Sequence, residues 1–413
     1  MQGTISAGDT AFVLVSAALV LLMTPGLAFF YGGMVRRKNV LSMLIQCFIL
    51  LCAIGLQWVL FGYSLAFGPD HGGVIGGLSW AGLRNVGLEP NAEYAATIPH
   101  EAFMIFQAMF AIITPGLIIG AVAERIKFSS FFLFVLLWAT FVYDPLAHWV
   151  WGAGGWLRNM GALDFAGGAV VHVNAGVAAL VMALLIGKRQ GYLNTPFAPH
   201  NLPFTVLGTG LLWFGWFGFN AGSALSAGGV ACNAFVATNT AAATAGLVWA
   251  FIEWVRNGAP TMLGVATGIV AGLAAVTPAC GFVHPMSAVA IGACASAFCF
   301  MAVVFLKARF KYDDSLDVFG VHGIACIWGL IATGLFASKA INPAGADGAF
   351  FGNPRQLLIQ LLTVLATAIY VGIASFILYK VVDATLGMRV DEQSESVGLD
   401  ITQHKEVAYT VAE

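Results

Sequence analysis

The chain alternates long apolar stretches with short joints that are polar or rich in glycine. A helix needs about 20 apolar residues to cross a hydrocarbon core, and a charge at its centre costs several kcal/mol. Eleven stretches meet that requirement, running approximately 10–35, 40–67, 102–123, 128–151, 165–187, 202–224, 231–255, 261–279, 286–306, 318–338 and 356–382. No charged residue lies between Arg189 and Glu253. That run is too long for one crossing and divides at "SAGGVA", as a later one does at "TPACGFVHP". The first stretch has no basic leader and no small-residue cleavage site behind a short apolar core, so it reads as a crossing and not as a cleaved signal peptide.

Composition agrees with this pattern. The residues AVILMFWYC make up 59% of the chain and charged residues 9%, against about 25% charged in soluble domains. Such a chain cannot coat a soluble surface. "RRK" (Arg36, Arg37, Lys38) directly follows the first crossing, and the positive-inside rule puts it in the cytoplasm. With eleven alternating crossings, the inner side collects Arg36, Arg37, Lys38, Arg125, Lys127, Lys188, Arg189, Arg256, Lys307, Arg309, Lys311, Lys380, Arg389 and Lys405, and the outer side only Arg84, Arg158, Lys339 and Arg355. A wrong crossing number would scramble this division. The expectation is an all-α integral membrane protein with eleven transmembrane helices, N-terminus out and C-terminus in. The seven cysteines have no paired or metal-ligand spacing and read as small packing residues.

An internal repeat organises the chain. "VHVNAGVAAL" at 171–180 and "VHGIACIWGL" at 321–330 agree at Val, His, Ala and Leu, early in the fifth and tenth stretches, and an aspartate precedes each at the edge of its span, Asp164 and Asp317. Five crossings per half is odd, so the halves insert with opposite orientation. Repeats of this kind place equivalent residues near the midplane, where transporters and channels keep their substrate sites. A lone histidine is usually a packing residue. Two at equivalent positions, in a medium where unpaired polar groups are costly, favour a shared polar pore lining for His172 and His322. With no carboxylate beside them, the imidazoles suit a small hydrogen-bonding neutral molecule or a proton better than a metal cation. Phe106 and Phe110 share one helix face, about 6 Å of rise apart, as do Phe219 and Ser223. The surrounding glycines let helices approach closely enough to press such rings into a constriction.

The motifs "FFYGGMVRRKNVLSM", "GLIIGAVAERIKFS", "GALDFAGGAVVHVNAG", "GWFGFNAGSA", "TPACGFV" and "DVFGVHG" closely resemble the ammonium transporters of the Amt/Mep/Rh superfamily, on its bacterial Amt side, over essentially the whole chain. The resemblance implies an outer recruiting vestibule of Phe106, Phe110, Trp151 and Ser223, a phenylalanine gate of Phe110 and Phe219, and a pore with twin histidines His172 and His322 beside Trp216. Asp164 matches the family's buried aspartate near the outer site; a structural role bracing the fifth span is favoured over direct ammonium contact, with a favourable field for a cation besides. The implied domain arrangement is a membrane unit at 1–390 and a cytoplasmic regulatory tail at 391–413. The membrane unit comprises repeat one at about 10–187, repeat two at about 202–338 and helix eleven at about 356–382.

By composition alone the tail, "GMRVDEQSESVGLDITQHKEVAY", is a mobile polar segment. By resemblance it docks on the cytoplasmic loops and cooperates with a PII signal protein that plugs the pore. Lys405 stands where the family pattern has glycine after the histidine, so a different local turn is expected there. The resemblance further implies a homotrimer with one pore per subunit, residence in the inner (plasma) membrane, no cofactor, no enzymatic activity and no nucleic-acid partner. Two other function classes remain. One is a membrane haem protein with His172 and His322 as axial ligands, although no flavin or iron–sulfur motif accompanies them. The other is an ammonium sensor.

Overall fold

The computed structural model describes residues 4–409, and its main body is a bundle of long apolar helices. Ten are long and apolar enough to cross a membrane: α1 (Ala7–Met34), α2 (Arg37–Phe67), α3 (His100–Val122), α4 (Phe128–Met160), α5 (Gly168–Ile186), α6 (Leu202–Gly222), α7 (Gly229–Asn257), α9 (Pro285–Phe310), α10 (Phe319–Phe336) and α11 (Pro354–Leu386). Between α7 and α9 lies a shorter apolar helix, α8 (Met262–Val276). Each coincides with one expected stretch to within a few residues, except that α4 breaks after Trp151, where the expected stretch ends, and resumes as the short helix Trp156–Met160. The outward faces carry exposed Leu247, Phe251, Leu358 and Ile373, as befits a body solvated by lipid. Cys47, Cys280, Cys299 and Cys326 are buried as packing residues, whereas Cys52 and Cys232 are exposed, contrary to that reading.

Glycine decides how closely the first helices of the two halves meet. A Cβ on Gly208 of α6 would lie 2.3 Å from the backbone nitrogen of Phe30 in α1, so the helices touch backbone to backbone. The two histidine helices cross in the same manner. A Cβ on Gly176 of α5 would lie 2.5 Å from Cα of Gly323 in α10.

The repeat extends to local irregularities. His172 and His322 each sit in a π-helical turn, Gly168–Val173 and Phe319–Gly323, and a second pair of π turns, Ala139–Tyr143 and Ala302–Leu306, interrupts α4 and α9. Single π turns mark functional positions in helices because they re-aim side chains. The structure corrects one register. The counterpart of Asp164 is Asp314 and not Asp317: each stands eight residues before its histidine, and each accepts the backbone N–H five residues on, of Ala169 and of Phe319, at 2.8 Å. Asp317 occupies the place of Gly167, and both have positive φ, 60° and 113°. Its carboxylate pairs with Lys307 at 2.6 Å.

One end of the bundle is bound together by arginines. Arg189 holds Asp313 at 2.8 Å and Glu124 at 3.3 Å, Arg36 holds Glu124 at 2.8 Å, and Arg125 donates to Ser315 Oγ at 2.6 Å. Burial raises the Asp313 carboxyl, but hydrogen bonds from Arg189 and the charges of Arg125 and Arg189 outweigh it and hold the group below the usual carboxylate range.

The tail is not a free segment. After α11 it forms two short helices, α12 (Glu392–Val397) and α13 (Leu399–His404), that dock on this same end. Asp400 accepts the Ser42 N–H at 2.8 Å, capping α2, and Asn39 returns the favour by accepting the Leu399 N–H at 2.8 Å. Glu395 accepts from Gln190 N at 2.6 Å and from Arg389 at 2.7 Å, and Tyr409 meets His200 at 3.0 Å. The turn at Lys405 does not depart from the conformation glycine favours. Lys405 itself takes the left-handed conformation, φ 58° and ψ 31°, closing α13 with bonds back to Asp400 and Ile401.

Candidate functional site

At the end opposite the arginines, a cavity is lined by Phe110, Trp151, Asp164 and Ser223. They come from α3, α4, the segment before α5 and the end of α6. Asp164 precedes α5, and its two oxygens accept the N–H groups of Gly167 (2.9 Å), Gly168 (2.5 Å), Ala169 (2.8 Å) and Val170 (3.2 Å). These are the donors that a helix start leaves unpaired, and in a membrane no water would meet them. The backbone carbonyl of Asp164 then accepts from Trp151 Nε1 at 2.8 Å, fixing the indole at the cavity wall. Ser223 donates to the Phe219 carbonyl at 2.8 Å, which leaves its oxygen free to accept. Phe106 is fully buried and packs edge-on against Phe110, centroids 5.0 Å apart, behind the wall.

Below the cavity the Phe110 and Phe219 rings meet at 4.3 Å between centroids. Beneath them is a second space walled by Met23, Leu27, Ile113, Leu117, Leu212 and Phe219, with His172, His322 and Trp216 as its polar-capable members. The two imidazoles are adjacent, centroids 5.3 Å apart and planes within 8° of parallel. No hydrogen bond joins them. Both ring nitrogens of His172 and Nδ1 of His322 are buried without a protein partner. Trp216 lies parallel to His172 at 5.4 Å, and its indole nitrogen is held by Thr277 Oγ1 at 2.9 Å. His322 also lines a third cavity with Phe30, Tyr31, Asp317, Glu253 and Arg256, opening toward the arginine end.

The three spaces lie in series: the phenyl pair separates the first from the second, and Phe30 and His322 line both the second and the third. A wall of aliphatic and aromatic carbon excludes ions, because stripping a charge of water is costly. Buried ring nitrogens without partners are themselves costly, and hydrogen-bonding a small molecule in transit offsets that cost.

Sequence reasoning missed several residues. Thr277 orients Trp216 from the "TPACGFV" motif, and the neighbouring Pro278 lies where a Cβ on Gly168 would come within 2.6 Å. Arg158 and Glu93 also line the first cavity, with Arg158 donating to the Trp151 carbonyl at 2.8 Å. Glu93 is a loop charge and Arg158 sits in the short helix Trp156–Met160; both lie outside the motifs, and no periodicity points to them.

Comparison with known proteins agrees with this arrangement. Residues 11–409 match the profile of the Ammonium Transporter Family. The chain is 53% identical over 402 residues to an ammonium transporter of Bacillus subtilis, covering 97% of this chain and 98% of that one. It is 50% identical to ammonium transporter Amt1 of Archaeoglobus fulgidus, covering 98% and 100%. Among solved structures it superposes on Mep2 of Saccharomyces cerevisiae with a TM-score of 0.88 at 35% identity, over 94% of this chain and 89% of that one. The chain belongs to the Ammonium Transporter Family.

Proposed function

We propose that this protein is an ammonium transporter that recruits the cation at its aromatic cavity, strips it of a proton and passes ammonia along the histidine-lined lumen. The observation that carries the mechanism is the apolar passage with unpartnered imidazole nitrogens, entered past a pair of phenyl rings. Ammonium and potassium have equal charge and similar size, so a simple cation filter would pass both. An apolar lumen refuses both ions, but ammonium alone can leave a proton behind and cross as ammonia. Trp151 and Phe110 attract the cation through their π faces, and the Ser223 oxygen accepts one N–H. Phe106 supports Phe110 from behind. Asp164 acts by holding the start of α5 and the Trp151 indole in place, and its charge favours a cation nearby. Past the Phe110–Phe219 gate, His172 and His322 offer acceptors or donors to ammonia, with Trp216 as a side wall.

In this reading α8 also crosses, giving eleven transmembrane helices in two inverted five-helix repeats plus α11. The aromatic cavity faces outward and the arginine end faces the cytoplasm of an inner-membrane protein. Residues 391–413 then form the cytoplasmic tail, of which 410–413 lie outside the described residues, and its docked surface is where a PII signal protein would act on a homotrimer.

The test is the charge of the lumen. His172→Glu places a negative charge in the passage and lowers the barrier to a dehydrated cation, so potassium flux in proteoliposomes should appear. His172→Ala should slow ammonium transport and still exclude potassium. Absence of potassium flux in the folded Glu variant, with ammonium transport intact in both, overturns the role of His172.

A further inference from the structure

His148 lies three residues before Trp151 in α4 and is fully buried. Its Nδ1 is 2.9 Å from the backbone carbonyl of Ala66, at the end of α2, and its Nε2 is 2.8 Å from Asp70 Oδ1, in a short hairpin of Asp70–His71 and Ile75–Gly76. The ring is thus fixed at both nitrogens, by a backbone carbonyl on one side and a carboxylate on the other. Asp70 keeps its charge: the hydrogen bond from His148 holds its carboxyl below the usual range.

The surroundings tie this pair to the first cavity. Asp70 also accepts the Gly73 N–H at 2.7 Å, and Trp149 Nε1 donates to the Val74 carbonyl at 2.7 Å, so the hairpin grips the end of α4 at successive residues. The chain turns back directly after Trp151. A Cβ on Gly152 would come within 2.5 Å of His148 Nδ1, and one on Gly154 within 2.5 Å of Asp70. The platform that carries the Trp151 indole is thus built around the His148 ring.

We propose that His148 is a positioning residue clamped between the Ala66 carbonyl and Asp70, and that this clamp sets Trp151 for ammonium recruitment.

The inference rests on Trp151 taking part in recruitment, and the experiment separates the two. Initial ammonium uptake is measured in proteoliposomes holding the full chain, against ammonium concentration at fixed pH. If Trp151→Leu leaves half-saturation unchanged, the recruitment reading fails and the clamp with it. If Trp151→Leu raises it, His148→Ala is expected to raise the half-saturating concentration about threefold or more, with maximal uptake per folded protein within about twofold. His148→Gln, which keeps an amide that can donate to Asp70, should recover part of that shift. Should His148→Ala fail to fold, Asp70→Ala, which removes one side of the clamp, decides by the same rise. Half-saturation unchanged in the variant that folds, or a fall in maximal uptake at constant half-saturation, overturns the clamp and leaves recruitment by Trp151 standing.

Discussion

Replacing Lys405 by glycine is expected to tighten the tail's hold on the bundle. Lys405 has φ 58° and ψ 31°, a left-handed conformation that brings Cβ close to the following carbonyl oxygen and costs about 1–2 kcal/mol for an ordinary L residue. Its side chain is exposed and makes no ion pair or hydrogen bond among the described residues, so nothing is lost with it. Glycine removes the steric term but frees the undocked tail, which offsets about 0.5–1 kcal/mol. The net gain is about 0.5–1 kcal/mol, or about two- to fivefold in the docking equilibrium. Hydrogen exchange reads this directly: the amides of Leu399, Lys405 and Glu406, bonded to Asn39, Ile401 and Asp400, should exchange about two- to fivefold more slowly in Lys405→Gly. Lys405→Ala retains a Cβ and should stay near the unaltered rate. Exchange in Lys405→Gly equal to or faster than in Lys405→Ala would refute the strain argument.

Three other outcomes follow from the same geometry. Asp164→Ala leaves four N–H groups at the start of α5 without acceptors, at about 1.5–3 kcal/mol for each bond to a charged group before relaxation, so the melting temperature in detergent should fall by several degrees or more; a normal melting curve with transport lost would instead make Asp164 a direct ammonium contact. Gly176→Val forces a side chain against Gly323 where a single Cβ already comes within 2.5 Å; the α5–α10 crossing should separate, lowering both folded yield and transport, and unimpaired transport would contradict the close crossing. Because Asp313 is held below its unfolded value near 3.9, its contribution to stability is complete above about pH 4 and is lost as pH falls through the lower folded value; in Arg189→Ala the side-chain hydrogen bonds and charge of Arg189 are gone and the Arg125 charge is left to oppose burial, so acid unfolding of this end, followed by proteolysis, should begin at higher pH, and an unchanged acid limb would deny the pair its role.

How much of this was legible in the sequence depended on which residues carry a periodic or repeated signal. Helix positions were legible because hydrocarbon imposes a fixed apolar length: ten stretches form helices long enough to cross, and the stretch 261–279 forms the shorter α8. The two histidines were legible because duplication printed them twice. The partner of Asp164 was misassigned for a physical reason: the repeat preserves a backbone task, accepting the N–H five residues on, whereas the eye is drawn to the acid nearest the motif. Asp317 is that nearer acid, but it does the conformational work of Gly167, held at positive φ with its charge taken by Lys307. The same logic explains the tail. Its composition is that of a free polar segment, yet Asp400, Asn39 and Glu395 accept the backbone N–H groups of Ser42, Leu399 and Gln190. The bonds to Ser42, Leu399 and Gln190 join partners hundreds of residues apart, and no window of sequence contains both; only the Glu395–Arg389 pair is local. Thr277 and His148 were hidden similarly, because each acts by orienting a tryptophan through one hydrogen bond or one short segment of helix. A motif can name the residue that meets the substrate, but the residue that aims it is defined only by where its nitrogen or oxygen ends in space.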